Sequence, residues 1–260
     1  MTISMKATEV IPVAPSSLEA LKLLADDTRW QLIGELRNSD RQVGELVARL
    51  KVPQNLISYH LGLLRQSGLV QVRRSDADAR VLYYGLDLAA IQAVYQQIGI
   101  SLHLPHVVTA TALPGALVVF LCTENSARSQ IAEGWLRQMS GGRVPVRSAG
   151  TEPRALHPLA VQVMAEVGVD IGYQQAKGLD VLREEHPGVV VTVCDRAREA
   201  CEPCLDAPIQ FHWSIPDPVR ATKRESDHLA AFRTVRDELR TRVEGLLTTL
   251  PELATQTPQA

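Results

Sequence analysis

No cysteine occurs in the first 121 residues of this 260-residue chain; all four (Cys122, Cys194, Cys201 and Cys204) lie beyond them. A disulfide scaffold would scatter its cysteines, whereas thiols gathered in one half point to redox chemistry or metal binding. No window approaches the ~20 consecutive apolar residues that a membrane span needs, so no membrane association is expected. The opening stretch MTISMKATEVIPVAPSS lacks a basic segment followed by an apolar run. A secretory leader is therefore not expected, and a cytoplasmic location is. Internal repeats and low-complexity tracts are also missing. What is present is an ordinary globular composition, 45% hydrophobic and 22% charged, in a chain long enough for two domains. The net charge of −2 conceals a local excess: residues 41–80 hold seven Lys/Arg against three Asp/Glu, a balance of +4 suited to a polyanion or simply to a solvated surface.

The chain divides by pattern. Residues 1–16 read as a loose lead-in, 17–99 as a largely helical domain, and 100–114, with two prolines and no period, as a linker. From 115 to 250, apolar runs alternate with helical stretches, the pattern of βαβ units around a parallel sheet. Residues 251–260 read as a tail.

In the first domain, LEALKLLADDTRWQLIGELRNS carries apolar residues at three- and four-residue steps, the helical period. A short helix over Val43–Leu50, a turn at Lys51–Val52 and a second helix from Pro53 to Gln66 follow. Pro53 suits a first helical turn, where its missing N–H costs nothing. Leu56, Ile57, Leu61 and Leu64 are expected to be buried. Gln54, Asn55, Ser58, Tyr59 and His60 are expected to point outward, where Gln and Asn can pair with adenine edges and Ser or Tyr can contact phosphates. Gly68 ends the helix. LVQVRR and VLYYGL then alternate as two strands around the polar tip SDADA, a β-hairpin wing with Arg73, Arg74 and Arg80 placed to meet DNA phosphates. A helix-turn-helix serving only protein contacts is the plainer alternative.

The run LADDTRWQLIGEL, LISYHLGLLRQSGLVQVRR and YYGL resembles the ArsR-type family of winged-helix repressors. That resemblance implies an α+β winged helix, operator DNA as partner, and a homodimer paired through its terminal helices, here residues 87–99. Arsenic-sensing members carry a cysteine pair before the recognition helix. RQVGELVARL has none here, and DLAAIQAVYQQIG lacks the Asp/His pattern of zinc-sensing members. His103 and His106 have ligand-like spacing beside the linker, where ordinary surface histidines are commoner. No metal site is expected in this half.

The second domain opens with ALVVFLCTENSARSQIAEGWLRQ. An apolar strand, Ala116–Leu121, enters a tight loop from Cys122 to Arg128 made of Thr123, Glu124, Asn125, Ser126 and Ala127, and a helix begins near Ser129. Loop amides and a helix N-terminus together cradle an anion. Arg128 adds a bidentate fork for a tetrahedral oxyanion. Donors around the sulfur favour thiolate, which makes Cys122 a nucleophile, with Ser129 as hydrogen-bond donor and Asn125 holding the loop from within. A buried structural cysteine is the alternative.

Cys-x5-Arg-Ser after a strand resembles low-molecular-weight tyrosine phosphatases and thioredoxin-coupled arsenate reductases, which share a four-stranded parallel sheet flanked by helices. RSAGTEP, VTVC, HWSIPDP and AFRTVRDEL resemble the arsenate reductases in particular. The resemblance implies that Cys122 attacks arsenate, Asp217 protonates the leaving oxygen, Cys194 and then Cys201 relay the disulfide, and thioredoxin reduces it, with no tightly bound cofactor. Asp217 could instead only close a turn before proline. The polar segment 195–200 is expected to be flexible. Cys204 is either a spare thiol or, with Cys194 and Cys201, an arsenite site. Glu124 stands where the family commonly has glycine and is expected to face solvent. Asn125, Glu133 and Ser148 match places where some relatives hold potassium, and Lys177 at the fourth is expected to replace that cation. The whole reads as a bifunctional regulator and arsenate reductase. The rivals are an arsenate, arsenite or redox sensor that only controls DNA binding, and a tyrosine phosphatase fused to a regulator.

Overall fold

The helical period over residues 18–39 resolves into two helices, α1 (Ser17–Leu24) and α2 (Asp27–Leu36), in the computed structural model, which describes residues 17–102, 117–182, 185–200, 207–222 and 224–254. Asp26 makes the break: its backbone is extended and its carboxylate accepts the Arg29 amide at 2.9 Å, capping α2. In α3 (Val43–Leu50), a capping box joins Gln42 and Glu45, and Lys51 in the left-handed region (φ 55°) ends the helix. Pro53 sits at the N-cap of α4 (Gln54–Gln66), one place before the first turn. Gly68, at φ 76°, turns the chain into β1 (Val70–Arg74). That strand pairs antiparallel with β2 (Leu82–Leu86), Val70 facing Leu86 and Arg74 facing Leu82. The next helix, α5 (Leu88–Ser101), packs back on α1. Leu32, Leu36, Leu46, Ile57, Leu61, Leu64, Leu69 and Val70 form the core.

The second half alternates β3 (Val118–Cys122), α6 (Arg128–Met139), β4 (Val146–Gly150), α7 (Pro158–Ala165), β5 (Val189–Thr192), α8 (Asp195–Ala200), β6 (Ile209–His212) and α9 (Glu225–Ala254). The four strands run parallel in the order β4-β3-β5-β6. All five residues of β3 are buried, as in a strand covered on both faces. Phe120 packs on one side with α6 and α9, while Val119, Leu121 and Val190 pack on the other. α9 continues to Ala254, into the stretch expected to be tail, and α5 reaches Ser101 at the start of the expected linker. No helix among the described residues is long and apolar enough to cross a membrane.

The halves are joined through the loop between α2 and α3. The Asp40 amide donates to the His212 carbonyl at 2.6 Å and Trp213 Nε1 donates to the Asn38 carbonyl at 2.8 Å, so this loop covers the open edge of β6. Ser39 Oγ accepts the His212 amide at 2.9 Å, and the Tyr83 ring lies 4.6 Å from the His212 ring, centre to centre. Asp40 also binds Arg242 of α9 through both carboxylate oxygens.

Candidate active site and DNA-reading surface

Cys122 ends β3 at the mouth of the loop, 3% exposed. Its Sγ accepts the Asn125 amide at 3.1 Å and lies 2.9 Å from Ser129 Oγ. Asn125, at φ 48°, turns the loop inward, and its Nδ2 donates to Ser129 Oγ and to Ser148 Oγ, each at 2.9 Å. Ser148 in turn donates to Glu133 at 2.6 Å, and the Lys177 ammonium stands 3.5 Å from that carboxylate. The buried chain from nucleophile to Lys177 is thus continuous. Gly150 is obligatory beside it: a Cβ there would sit 2.6 Å from the Thr123 carbonyl and 2.8 Å from the Asn125 amide.

Arg128 opens α6 beneath the loop. Its Nη1 donates to the Ile215 carbonyl at 2.9 Å and its Nη2 to Asp217 at 3.3 Å. Cys122, Thr123, Arg128, Cys194 and Asp217 share one pocket of about 270 Å³. Cys194 follows β5 and is 1% exposed. Burial pushes its thiol above the ordinary value, with Arg128 working in the opposite direction. Thr123 Oγ1 and the Ala197 amide each lie 3.4 Å from its sulfur. Neither Cys122 nor Cys194 is in a disulfide. Glu124 is at the rim, its carboxylate accepting from Ser126 and 3.6 Å from Arg154. Cys201, Cys204, His103 and His106 lie outside the described residues. Among the described residues no cluster has the make-up of a metal site.

Three side chains, His60, Leu56 and Arg73, depart from expectation, and the segment 195–200, expected to be flexible, forms the helix α8. Its length gives no readable apolar period, and tertiary contacts shape it: Asp195 accepts the Asp76 amide at 2.8 Å and pairs with His212 at 3.1 Å. Burial opposes ionisation of Asp195, yet the His212 and Asp76 hydrogen bonds hold its carboxyl below the ordinary value. On α4, His60 is turned inward at 6% exposure, its Nδ1 3.6 Å from Asp26, while Leu56 is 39% exposed. Position 60 falls on the inner face of α4 with Ile57, Leu61 and Leu64, at three- and four-residue steps, and Leu56, one residue before buried Ile57, falls on the outer side. Arg73 is not free on the wing; it donates to the Ser214 carbonyl at 2.5 Å and to Glu238 at 2.6 Å.

Gln54, Asn55, Ser58 and Tyr59 are exposed along α4, as is Arg74 on the wing, and Arg80 is paired to Asp78 at 2.7 Å. Sequence reasoning missed the other walls of the pocket, His157, Arg154, Arg196, Arg220 and Asp76. Asp76 comes from the wing, and no local signal could have placed it there.

A strand running into an anion loop, with a thiol under the loop amides and an arginine opening the next helix, defines a thiol-dependent oxyanion-handling domain of the low-molecular-weight phosphatase type. Residues 117–256, more than half of the sequence, match the family model for low molecular weight phosphotyrosine protein phosphatase, and the chain belongs to that family. Within it the arsenate reductases are the near relatives. That of Bacillus subtilis strain 168 is 41% identical over 128 residues, and that of Halalkalibacterium halodurans is 38% identical over 128 residues. Each alignment takes in 49% of this chain and 92% of the relative. The glutaredoxin arsenate reductase of Synechocystis is 33% identical over 130 residues, 50% of this chain and 95% of that protein. Residues 26–72 match the model for bacterial regulatory protein, arsR family. The chain therefore joins an ArsR-type helix-turn-helix to an arsenate reductase-like domain.

Proposed function

We propose that this chain is bifunctional, a DNA-binding regulator of arsenic resistance that also reduces arsenate to arsenite. The observation that carries the enzymatic half is Cys122 beneath the loop amides, sharing one pocket with Arg128, Asp217 and a second buried thiol, Cys194. A phosphatase needs one thiol; passing two electrons to arsenate needs partners.

In the proposed relay, arsenate sits on the amides of Thr123 through Arg128 and on the Arg128 fork. The Cys122 thiolate attacks arsenic, and Asp217 protonates the departing oxygen, which leaves as water. Cys194, as thiolate, attacks Cys122 sulfur. The Cys122–arsenic bond breaks, its electron pair stays on arsenic, and arsenite departs. Two thiols have then become a Cys122–Cys194 disulfide while arsenic has gained two electrons. Cys201 attacks Cys194, expelling the Cys122 thiolate, and an external dithiol such as thioredoxin reduces the Cys194–Cys201 disulfide. Cys204 backs up Cys201 or completes a three-thiolate arsenite site.

For the regulatory half, α4 presents Gln54, Asn55, Ser58 and Tyr59 to the major groove, with Arg74 and Arg80 on the wing for phosphates. Dimerisation through α1 and α5 is supported by exposed apolar side chains there: Leu18 at 61%, Leu21 at 45% and Tyr95 at 71%.

The test is a coupled assay with purified full-length protein and arsenate, run with thioredoxin and with glutaredoxin systems and beside an aryl phosphate. Arsenate-dependent consumption of reductant over many turnovers is expected. Hydrolysis of the aryl phosphate with no arsenate turnover would favour the phosphatase reading. Oxyanion binding without turnover on either would favour the sensor.

A further inference from the structure

The turn between the two wing strands lies in the active-site pocket. Asp76 Oδ2 stands 3.5 Å from Arg128 Nη1, and its backbone amide is held by Asp195 of α8. Ser75 Oγ donates to Glu199 of the same helix at 2.7 Å, and Arg198 reaches back to Glu45 of α3 at 3.0 Å. Behind the turn, Arg73 is neutralised by Glu238 of α9. The wing thus offers a carboxylate to the guanidinium that serves the oxyanion cradle, and one of its cations, Arg73, is held by a carboxylate instead of standing free for DNA phosphates.

Two of the Arg128 donors are already engaged within the protein. One goes to the Ile215 carbonyl and one to Asp217. Asp76 and Cys122 line the same pocket around Arg128, and a tetrahedral oxyanion bound there would share that guanidinium with the Asp76 carboxylate, two anions that repel each other. The docked carboxylate is already crowded: burial first, then Asp195 and Asp217, push its carboxyl above the ordinary value against the pull of Arg128. The side chain keeps 34% exposure, so it has an open path outward.

We propose that the oxyanion pocket is also an effector site for the DNA-reading half: a tetrahedral oxyanion competes with Asp76 for Arg128 and releases the wing turn. Occupancy of the pocket and engagement of the wing on DNA are then linked, and the linkage is reciprocal. An oxyanion-loaded chain holds duplex DNA more tightly than an empty one, and DNA tightens oxyanion binding. This rests on the reading of the pocket as an oxyanion site but not on turnover.

Inorganic phosphate, which the thiols cannot reduce, is the probe. Its affinity for full-length wild type, Asp76→Ala, Asp76→Asn and the control Asp78→Ala is measured by calorimetry. Amide exchange over residues 73–80 is followed with and without phosphate, and affinity for a duplex from the gene's own upstream region is measured at fixed ionic strength. Both Asp76 variants are expected to bind phosphate about tenfold tighter, within the range of ordinary coupling between sites, with Asp78→Ala unchanged. Phosphate is expected to speed exchange of the wing-turn amides and raise duplex affinity in wild type, and to do neither in the Asp76 variants. Unchanged or weaker phosphate binding in both variants would overturn the proposal, as would wing amides indifferent to saturating phosphate. Absence of phosphate binding in every form overturns it too. Phosphate-linked wing release in a protein that turns over no arsenate would leave it standing while removing the reductase reading.

Discussion

Asp40 and Arg242, 202 residues apart, form a two-bond ion pair between the halves of the molecule, Nη1 to Oδ1 at 3.0 Å and Nη2 to Oδ2 at 3.1 Å. The pair is enclosed, with Asp40 2% exposed and the Arg242 side chain 10%. Asp40 Oδ2 also accepts the Ser214 amide at 2.7 Å, so one carboxylate fastens α9 and the segment after β6 to the first domain.

Removing one partner leaves the other charged and buried, which costs about 3–5 kcal/mol. Arg242→Met is therefore expected to lower stability by roughly that much in chemical denaturation. Unfolding should also lose cooperativity between the halves, seen as two transitions where wild type shows one. A single unshifted transition would mean that the halves are held by other contacts.

The Cys194 thiol offers a pH signature. Burial raises it, so at neutral pH the relay thiol is mostly protonated, and its attack requires the thiolate. Disulfide transfer in single turnover is therefore expected to speed up as pH rises from 7 toward 9, about tenfold per pH unit well below the thiol's own value. Stopped-flow measurement on Cys201→Ser, which halts after the Cys122–Cys194 disulfide, isolates this step. A transfer rate flat with pH would contradict a protonated resting Cys194.

Gly150 sets the loop by having no side chain. Gly150→Ala pushes a methyl into the Thr123 carbonyl and the Asn125 amide, backbone atoms that cannot step aside cheaply. A destabilisation of about 1–3 kcal/mol is expected, as for other overpacked sites. Phosphate affinity should fall with it, because the same amides form the cradle. Full retention of phosphate binding would show that the loop relaxes without losing its shape.

Lys177 occupies the outer end of the hydrogen-bonded chain that starts at Cys122, beside Glu133, which is itself 3% exposed. Turnover is expected to be equal in potassium and in a large organic cation at matched ionic strength. Lys177→Met should introduce a potassium response, because Glu133 then lacks a cation on that side. Stimulation of wild type by potassium would show that the ammonium does not serve in its place.

Where chemistry is local, the sequence was a good guide. The Cys122 loop declares itself because cradle, nucleophile and arginine fall within seven consecutive residues, and the span Val43–Leu50 expected for α3 is the one observed. What was missed is tertiary. α8 is six residues long and is fixed by Asp195 contacts to His212 and to the wing. His60 shares the inner face of α4 with Ile57, Leu61 and Leu64, a period that its polar side chain concealed. Asp76 reads as a solvated hairpin tip until the second domain is placed against it. That the sheet is parallel follows from the βαβ pattern, but the strand order and the covering of the β6 edge by Asp40 have no trace in local sequence.

The most direct test of the central claim is a single turnover with reduced full-length protein, arsenate and no external reductant, followed by arsenite quantification and disulfide mapping. About one arsenite per chain, a Cys194–Cys201 disulfide and a Cys122 left as free thiol are expected. Cys201→Ser should stop at Cys122–Cys194, and Cys122→Ser should form no arsenite. Arsenite from the Cys122→Ser protein, or arsenite from wild type with Cys194 still reduced, would contradict the relay.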